Sequence, residues 1–180
     1  MRFMALKTAF LAAPSFLAFF LFCQAAQALD PLALDPLAEP TGRVILTVTG
    51  DMALPGGAAA ARFDEAGLRA LGEDTIATTT IWTDGVVTFR GVRLKSLVER
   101  LGLQGETLNA VALNDYSAPI PFEDIERYNP LLALEMNGER LLVRDKGPVW
   151  VVYPRDDHDE LKSDRINDRW VWQLTRLEAR

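Results

Sequence analysis

The sequence contains a single cysteine, Cys23, among 180 residues, and a single histidine. Cys23 lies in the N-terminal stretch that we predict is removed on export, so the mature chain is expected to have no thiol. This absence excludes disulfides, thiolate metal ligands and a cysteine nucleophile. The sequence also has no apolar run long enough to favour a membrane-spanning helix.

The N-terminus has the order of features that is typical of a secretory signal peptide. Arg2 and Lys7 precede an apolar stretch over residues 9–22, and Ala26-Gln27-Ala28 offers small residues at the expected cleavage site. We predict cleavage after Ala28 and localisation in the periplasm. A lipoprotein anchored at Cys23 is the alternative, and the bulky phenylalanine before that cysteine disfavours it.

Basic residues are scarcer than acidic ones. The chain has 19 Lys and Arg against 25 Asp and Glu, a net charge of −6. Loss of residues 1–28 removes Arg2 and Lys7 and no acid, which leaves 17 − 25 = −8. An acidic exported domain without basic clusters is a poor candidate for binding nucleic acid or an anionic membrane.

The pattern of apolar and turn residues predicts a flexible tether followed by one domain. Residues 29–42 repeat the motif Leu-Asp-Pro-Leu-Ala, and their prolines disfavour helix and strand. Residues 43–180 form the predicted domain, in which residues 51–61 are a loop and Asn137-Gly138 is a hairpin turn. The predicted strands are 43–50, 75–82, 86–90, 108–113, 131–136, 141–143, 149–153 and 171–177, and the predicted helices are 64–71, 94–101 and 122–128. Because strands outnumber helices and do not alternate with them, we expect an α+β fold with a mixed or antiparallel sheet and short helices.

Five segments in a fixed order resemble the molybdopterin-binding domain of the sulfite oxidase family, especially its small exported single-domain members. Together they span about residues 43–178. The segments are 89–98 (FRGVRLKSLV), 112–121 (ALNDYSAPIP), 132–138 (LALEMNG), 147–154 (GPVWVVYP) and 169–174 (RWVWQL). The resemblance implies the sulfite-oxidase-type molybdopterin-binding fold.

The same resemblance shows where the chain departs from catalytic members. Their molybdenum is bound by a cysteine thiolate, which should lie near residues 78–82, where this chain has Thr-Thr-Thr-Ile-Trp. A threonine hydroxyl is a poor substitute for a soft thiolate ligand. The Asn-Arg-Arg run that follows the family's cysteine is missing, and His158 is flanked by acids rather than placed for a phosphate. We therefore expect no cofactor, and no catalytic residue is transferred from the family.

A polar turn is the first candidate site. Asp115, Tyr116 and Ser117 follow a predicted strand, where the family's ligand pocket opens, and could bind a polar ligand by hydrogen bonds. The alternative is an Asx-type turn in which Asp115 bonds its own backbone.

Aromatic and cationic side chains are the second candidate set. The tryptophans could line a cleft, with arginines nearby to meet an anionic ligand. Alternatively, Trp170 and Trp172 alternate on one face of a strand and fill the core. The residues concerned are Trp82, Trp150, Trp170, Trp172, Arg90, Arg155 and Arg169.

The acidic segment 156–160 (Asp-Asp-His-Asp-Glu) has the residue types of a metal site. It lacks the spacing of a calcium loop, and consecutive loop residues rarely point to one centre. We interpret it as a solvated acidic loop.

Two hypotheses for function follow. In the first, the chain is a periplasmic binding or interaction module without molybdenum chemistry, which recognises a small anionic ligand or a membrane-bound sensor or redox partner. In the second, it is a molybdopterin-dependent oxidoreductase with an unusual ligand set.

Overall fold

The computed structural model describes residues 37–54 and 57–180, which form ten strands and four α-helices. The predicted signal peptide and residues 29–36 of the predicted tether lie outside the described residues. The strands are β1 (Leu46–Thr49), β2 (Ala60–Phe63), β3 (Glu73–Thr79), β4 (Val86–Arg93), β5 (Thr107–Ala112), β6 (Ser117–Pro121), β7 (Leu131–Met136), β8 (Glu139–Arg140), β9 (Trp150–Val152) and β10 (Leu174–Ala179). The helices are α1 (Glu65–Arg69), α2 (Leu94–Leu101), α3 (Phe122–Tyr128) and α4 (Asp164–Asn167), with 3₁₀ turns at Val143–Asp145 and Asp159–Lys162.

The strands form two five-stranded sheets. The first has the order β2-β1-β10-β5-β6, and only its β1–β10 pair is parallel. The second has the order β3-β4-β7-β8, with β9 also paired to β7, and all of its pairs are antiparallel. This arrangement confirms the predicted α+β fold with mixed and antiparallel pairing and short helices.

One hydrophobic core joins both sheets and the helices. Helix α2 contributes its whole apolar stripe, because four of its residues at helical spacing are buried, and Gly102 ends it in the left-handed conformation. Strand β9 is fully buried, as its apolar sequence predicts. None of the helices formed by the described residues has the length and apolar character needed to span a bilayer.

Three strands were not predicted as they occur. Strand β2 begins at Ala60, inside the predicted loop 51–61, and continues to Phe63. It forms because pairing with β1 overrides the low strand propensity of alanine. Strand β6 contains Pro119 and Pro121, which its position at the edge of the sheet tolerates. Strand β8 is Glu139–Arg140 rather than 141–143, since Val143 begins a 3₁₀ turn.

Two predicted boundaries shift in ways that shape the candidate site. Strand β3 ends at Thr79, and the Thr80 hydroxyl accepts a hydrogen bond from the Trp82 backbone N–H (3.0 Å), which turns the chain away from the sheet. The last strand begins at Leu174 rather than residue 171. The backbone of residues 171–173 forms hydrogen bonds outside the first sheet. The Gln173 N–H donates to the Lys146 carbonyl, and the Val171 carbonyl accepts from the Val151 N–H.

Candidate functional site

A cleft of about 480 Å³ opens where three loops meet. The loops are the segment after β3, the turn between β5 and β6, and the segment from α4 to the start of β10. The side chains that line the cleft are aromatic, apolar, amide and acidic. They belong to Ile81, Trp82, Ala112, Asn114, Tyr116, Asp164, Asn167, Asp168, Trp170, Val171 and Trp172.

All four tryptophans form one cluster at the base of this cleft. The Trp82 ring centroid lies 6.2 Å from that of Trp150, 5.7 Å from Trp170 and 5.4 Å from Trp172. Trp150 is buried in the core and does not line the cleft, Trp82 and Trp172 are half-buried and line it, and Trp170 is buried and also lines it. The core interpretation therefore applies to Trp150, the cleft interpretation to Trp82 and Trp172, and both apply to Trp170.

A cation already rests on this cluster. The Lys146 ammonium lies 5.5 Å from the Trp150 ring centroid and 5.9 Å from that of Trp172. Both distances fall within the range of a cation–π interaction. Lys146 does not line the cleft, so its charge acts on the rings from outside the lining.

The predicted polar turn forms one wall of the cleft through Tyr116. The Tyr116 hydroxyl donates to the Asp168 carbonyl oxygen (3.0 Å) and so ties the turn to the segment after α4. Burial of the ring, together with the Asp168 charge, raises the pKa of Tyr116 above its ordinary value of 10.0. At neutral pH the phenol is therefore a hydrogen-bond donor.

The other residues of the turn do not line the cleft, apart from Asn114. The Asx-type bond is made by Asn114, whose side-chain oxygen accepts from the Tyr116 N–H (3.2 Å). Asp115 instead adopts a left-handed conformation, with φ of 63°, and its exposed carboxylate lies 3.4 Å from Arg176. Ser117 is exposed as the first residue of β6.

The three arginines that the sequence suggested for an anionic ligand lie apart from the cleft lining. Arg90 is exposed on β4 and pairs with Glu73 (2.7 Å). Arg155 donates to the Thr79 hydroxyl (3.1 Å). Arg169 pairs with the buried carboxylate of Asp124.

The Arg169–Asp124 pair belongs to a buried network. The Tyr153 hydroxyl donates to the same carboxylate (3.0 Å), so one oxygen of Asp124 accepts from both partners. Burial, followed by the Asp124 charge, raises the pKa of Tyr153 well above its ordinary value. The network connects α3 with β9 and the segment before β10, so we assign these three residues a structural role.

The threonines after β3 have their hydroxyls bonded within the protein. The Thr78 hydroxyl accepts from the Asp156 N–H (3.1 Å), and the Thr79 hydroxyl donates to the Asp156 carboxylate (2.6 Å). The Thr80 hydroxyl lies 2.8 Å from that of Thr83. Both Thr78 and Thr80 are buried. The segment after β3 is thus held in place by hydrogen bonds to Asp156 and to Thr83.

Asp156 has a specific role in the acidic segment 156–160. It binds Thr79 through both the backbone N–H and the hydroxyl, and the hydroxyl bond is the main reason that the pKa of Asp156 is lowered. His158 lies edge-on to the Tyr128 ring, with centroids 5.0 Å apart. Within residues 37–54 and 57–180, no group of three or more His, Cys, Asp or Glu side chains could hold a metal ion.

The acidic and amide wall of the cleft was not predicted from the sequence. Asp164, Asn167 and Asp168 line it from α4 and its C-terminal end. Ser163-Asp164 is a helix-start signal, and it precedes the tryptophan motif by only a few residues. Those two features together could have placed polar side chains beside Trp170.

Comparisons with known proteins agree with the fold. A family model described as "Oxidoreductase molybdopterin binding domain" matches residues 66–156, about half of the chain. The sulfane dehydrogenase SoxCD from Paracoccus pantotrophus has a similar structure, with a TM-score of 0.55 and 18% sequence identity. The match covers 74% of this chain and 37% of that one, so the similarity supports the fold alone. No curated protein matches the sequence.

Proposed function

The chain belongs to the oxidoreductase molybdopterin-binding domain family, and from that premise we propose that it is a binding module without molybdenum chemistry of its own. Its ligand site is the tryptophan-lined cleft. We further propose that the module works in the periplasm, where the N-terminal signal sequence would direct it. There the bound ligand would be reported to a membrane-bound sensor or redox partner.

The observation that carries this proposal is the donor set around the segment after β3. Residues 37–180 contain no cysteine, so no thiolate can be supplied there. The hydroxyls of Thr78, Thr79 and Thr80 are each bonded to protein atoms, and hydroxyls are hard ligands that suit this metal site poorly. The residues present therefore do not fit the metal of the family's cofactor.

The charge of the cleft lining is also unsuited to the pyrophosphate of the family's cofactor. A pterin pyrophosphate needs cationic donors, and no Lys, Arg or His lines the cleft in the described part of the chain. Two acidic residues, Asp164 and Asp168, line it instead. Repulsion between their carboxylates and the pyrophosphate would oppose binding.

A second candidate function is a molybdopterin-dependent oxidoreductase that obtains its missing ligands elsewhere. Membership of the family is the observation that favours it. The two candidates differ in one measurable property, the metal and pterin content of the native protein.

We expect protein purified from molybdenum-replete cells to contain neither molybdenum nor pterin. Metal content is measured by mass spectrometry, and pterin by fluorescence after oxidation. A family member that has the cysteine, expressed in the same cells, serves as the control for cofactor supply. Stoichiometric molybdenum in this chain would contradict the binding-module proposal, and its absence beside a loaded control would leave the oxidoreductase without support.

A further inference from the structure

The charges that line the cleft have one sign. Asp164 and Asp168 are the charged residues in its lining, and neither forms an ion pair within the described residues. The side chain of Asp164 accepts only a long bond of 3.4 Å from the Asn167 amide. A ligand in this cleft would therefore interact with two carboxylates that have no cationic partner, an arrangement that attracts cations and repels anions.

The aromatic walls favour the same sign of charge. The aromatic rings of Trp82, Trp172 and Tyr116 line the cleft, and the faces of such rings carry the negative side of the ring quadrupole, which attracts ammonium groups. Lys146 already occupies such a position against the cluster. Lys146 lies outside the lining, whereas both aspartates belong to it.

We propose that the cleft binds a small alkylated ammonium compound. This inference rests on the proposed function and names the ligand class of the same cleft. It differs in sign from the anionic ligand predicted from the sequence. That prediction relied on Arg90, Arg155 and Arg169, which lie outside the cleft lining.

Three probes of nearly equal shape isolate the effect of charge. Choline carries the cation, 3,3-dimethyl-1-butanol replaces its nitrogen with carbon, and 3,3-dimethylbutyrate carries a negative charge. Tetramethylammonium keeps the cation and lacks the hydroxyl. Binding is measured by tryptophan fluorescence and by the indole N–H signals of the four tryptophans in NMR spectra. We expect choline to bind about tenfold more tightly than its neutral isostere, and the anion to bind most weakly.

Variants test whether the named side chains carry the effect. The double variant Asp164→Asn, Asp168→Asn should weaken choline binding by about tenfold and leave the isostere unaffected. Glu99→Gln, on α2 and outside the cleft lining, is the matched control for loss of an exposed acid. An unchanged Tm in both proteins shows that the fold is retained.

The outcomes separate this inference from the function on which it rests. Equal or tighter binding of the isostere or the anion would overturn the ligand class and leave the cleft as a ligand site. Failure of all four probes to bind would overturn the ligand class, and the molybdenum measurement would then decide the proposed function independently. Preference for choline that the double variant retains would contradict the role of the two aspartates.

Discussion

At the scale of single residues, Asp64 shows how one carboxylate fixes the start of the domain. It caps α1 by accepting from the Gly67 N–H (2.8 Å), and its other oxygen accepts from the N–H groups of Thr41 (3.0 Å) and Gly42 (2.7 Å). The bonds from Gly67 and then Gly42 lower the pKa of Asp64 below its ordinary value of 3.8. The charged form is therefore the one that the fold stabilises.

Asp64→Asn should lower the Tm by about 2–6 °C at pH 7. Because the pKa in the folded protein lies below 3.8, this stabilisation is complete above about pH 4 and is lost as the pH falls further. The gap in Tm between wild type and variant should thus narrow as the pH falls below about 4. Circular dichroism melts over that range measure it.

Asp157→Asn is the control, since Asp157 is exposed and its side chain makes no hydrogen bond within the described residues. It should melt as the wild type does at every pH. A gap for Asp64→Asn that stays constant down to pH 2 would show that charge has no part in the cap.

At the scale of elements, the join between β4 and β7 depends on Gly91. The register shifts between Arg90 and Gly91, so that Gly91 pairs with Ala133. A Cβ atom at position 91 would lie 2.0 Å from the Leu132 carbonyl oxygen and 2.8 Å from the Ala133 Cα. The two backbones can approach this closely only because the residue is glycine.

Gly91→Ala should lower the free energy of unfolding by about 3–5 kcal/mol, because the clash is with backbone that cannot move away. Gly85→Ala is the matched control: its φ is +67° and no atom lies within 4 Å of the added Cβ. That control should cost about 1–2 kcal/mol, through conformation alone. Urea unfolding curves give both values, and equal losses would contradict the steric explanation.

The elements that could be predicted are those with strong local patterns. Helix α2 has the predicted bounds because its apolar stripe and terminal glycine agree. The bounds of the other elements depend on the strands with which they pair, and the local sequence does not show those strands. Pro119 and Pro121 argue against a strand until one knows that β6 is an edge, and the predicted strand 86–90 stops before Gly91, which lies inside β4.

At the scale of the whole molecule, the Tyr153–Asp124–Arg169 network connects elements of both sheets. Helix α3 follows a strand of the first sheet, whereas Tyr153 directly follows β9 of the second. The pKa of Tyr153 is raised by burial and by the Asp124 charge. In the unfolded chain the phenol loses its proton near pH 10, before it can do so in the folded protein.

The free energy of unfolding should therefore decrease as the pH rises above 10, and Tyr153→Phe should reduce that decrease. At pH 7 the same variant should be about 1.5–3 kcal/mol less stable, since a hydrogen bond to a charged group is lost. Urea unfolding at pH 7 and pH 10.5 measures both effects. Tyr116→Phe, at a half-exposed tyrosine, is the control and should keep most of the decrease in the free energy of unfolding between pH 7 and pH 10.5. If Tyr153→Phe showed the same decrease as the wild type, Tyr153 would not be its cause.

The candidate site was predictable in its location and not in its charge. Tyr116 and the tryptophans were named from the sequence, because aromatic residues and strand ends are visible there, whereas the predicted Asp115 and Ser117 lie outside the lining. The sign of the charge depends on which polar side chains face the cleft. Arg169 is one residue from Asp168, yet it turns to Asp124, and only the packing of α3 determines that choice.

The position of β10 sets the time at which the domain can fold. It is the last strand in the sequence, yet it lies in the middle of its sheet between β1 and β5. The hairpins β1–β2 and β5–β6 can each form earlier, but neither has its neighbour until residues 174–179 have been synthesised. The first sheet of a growing chain thus stays open until β10 has been synthesised, and during that period its unpaired strands are accessible to chaperones and to proteases.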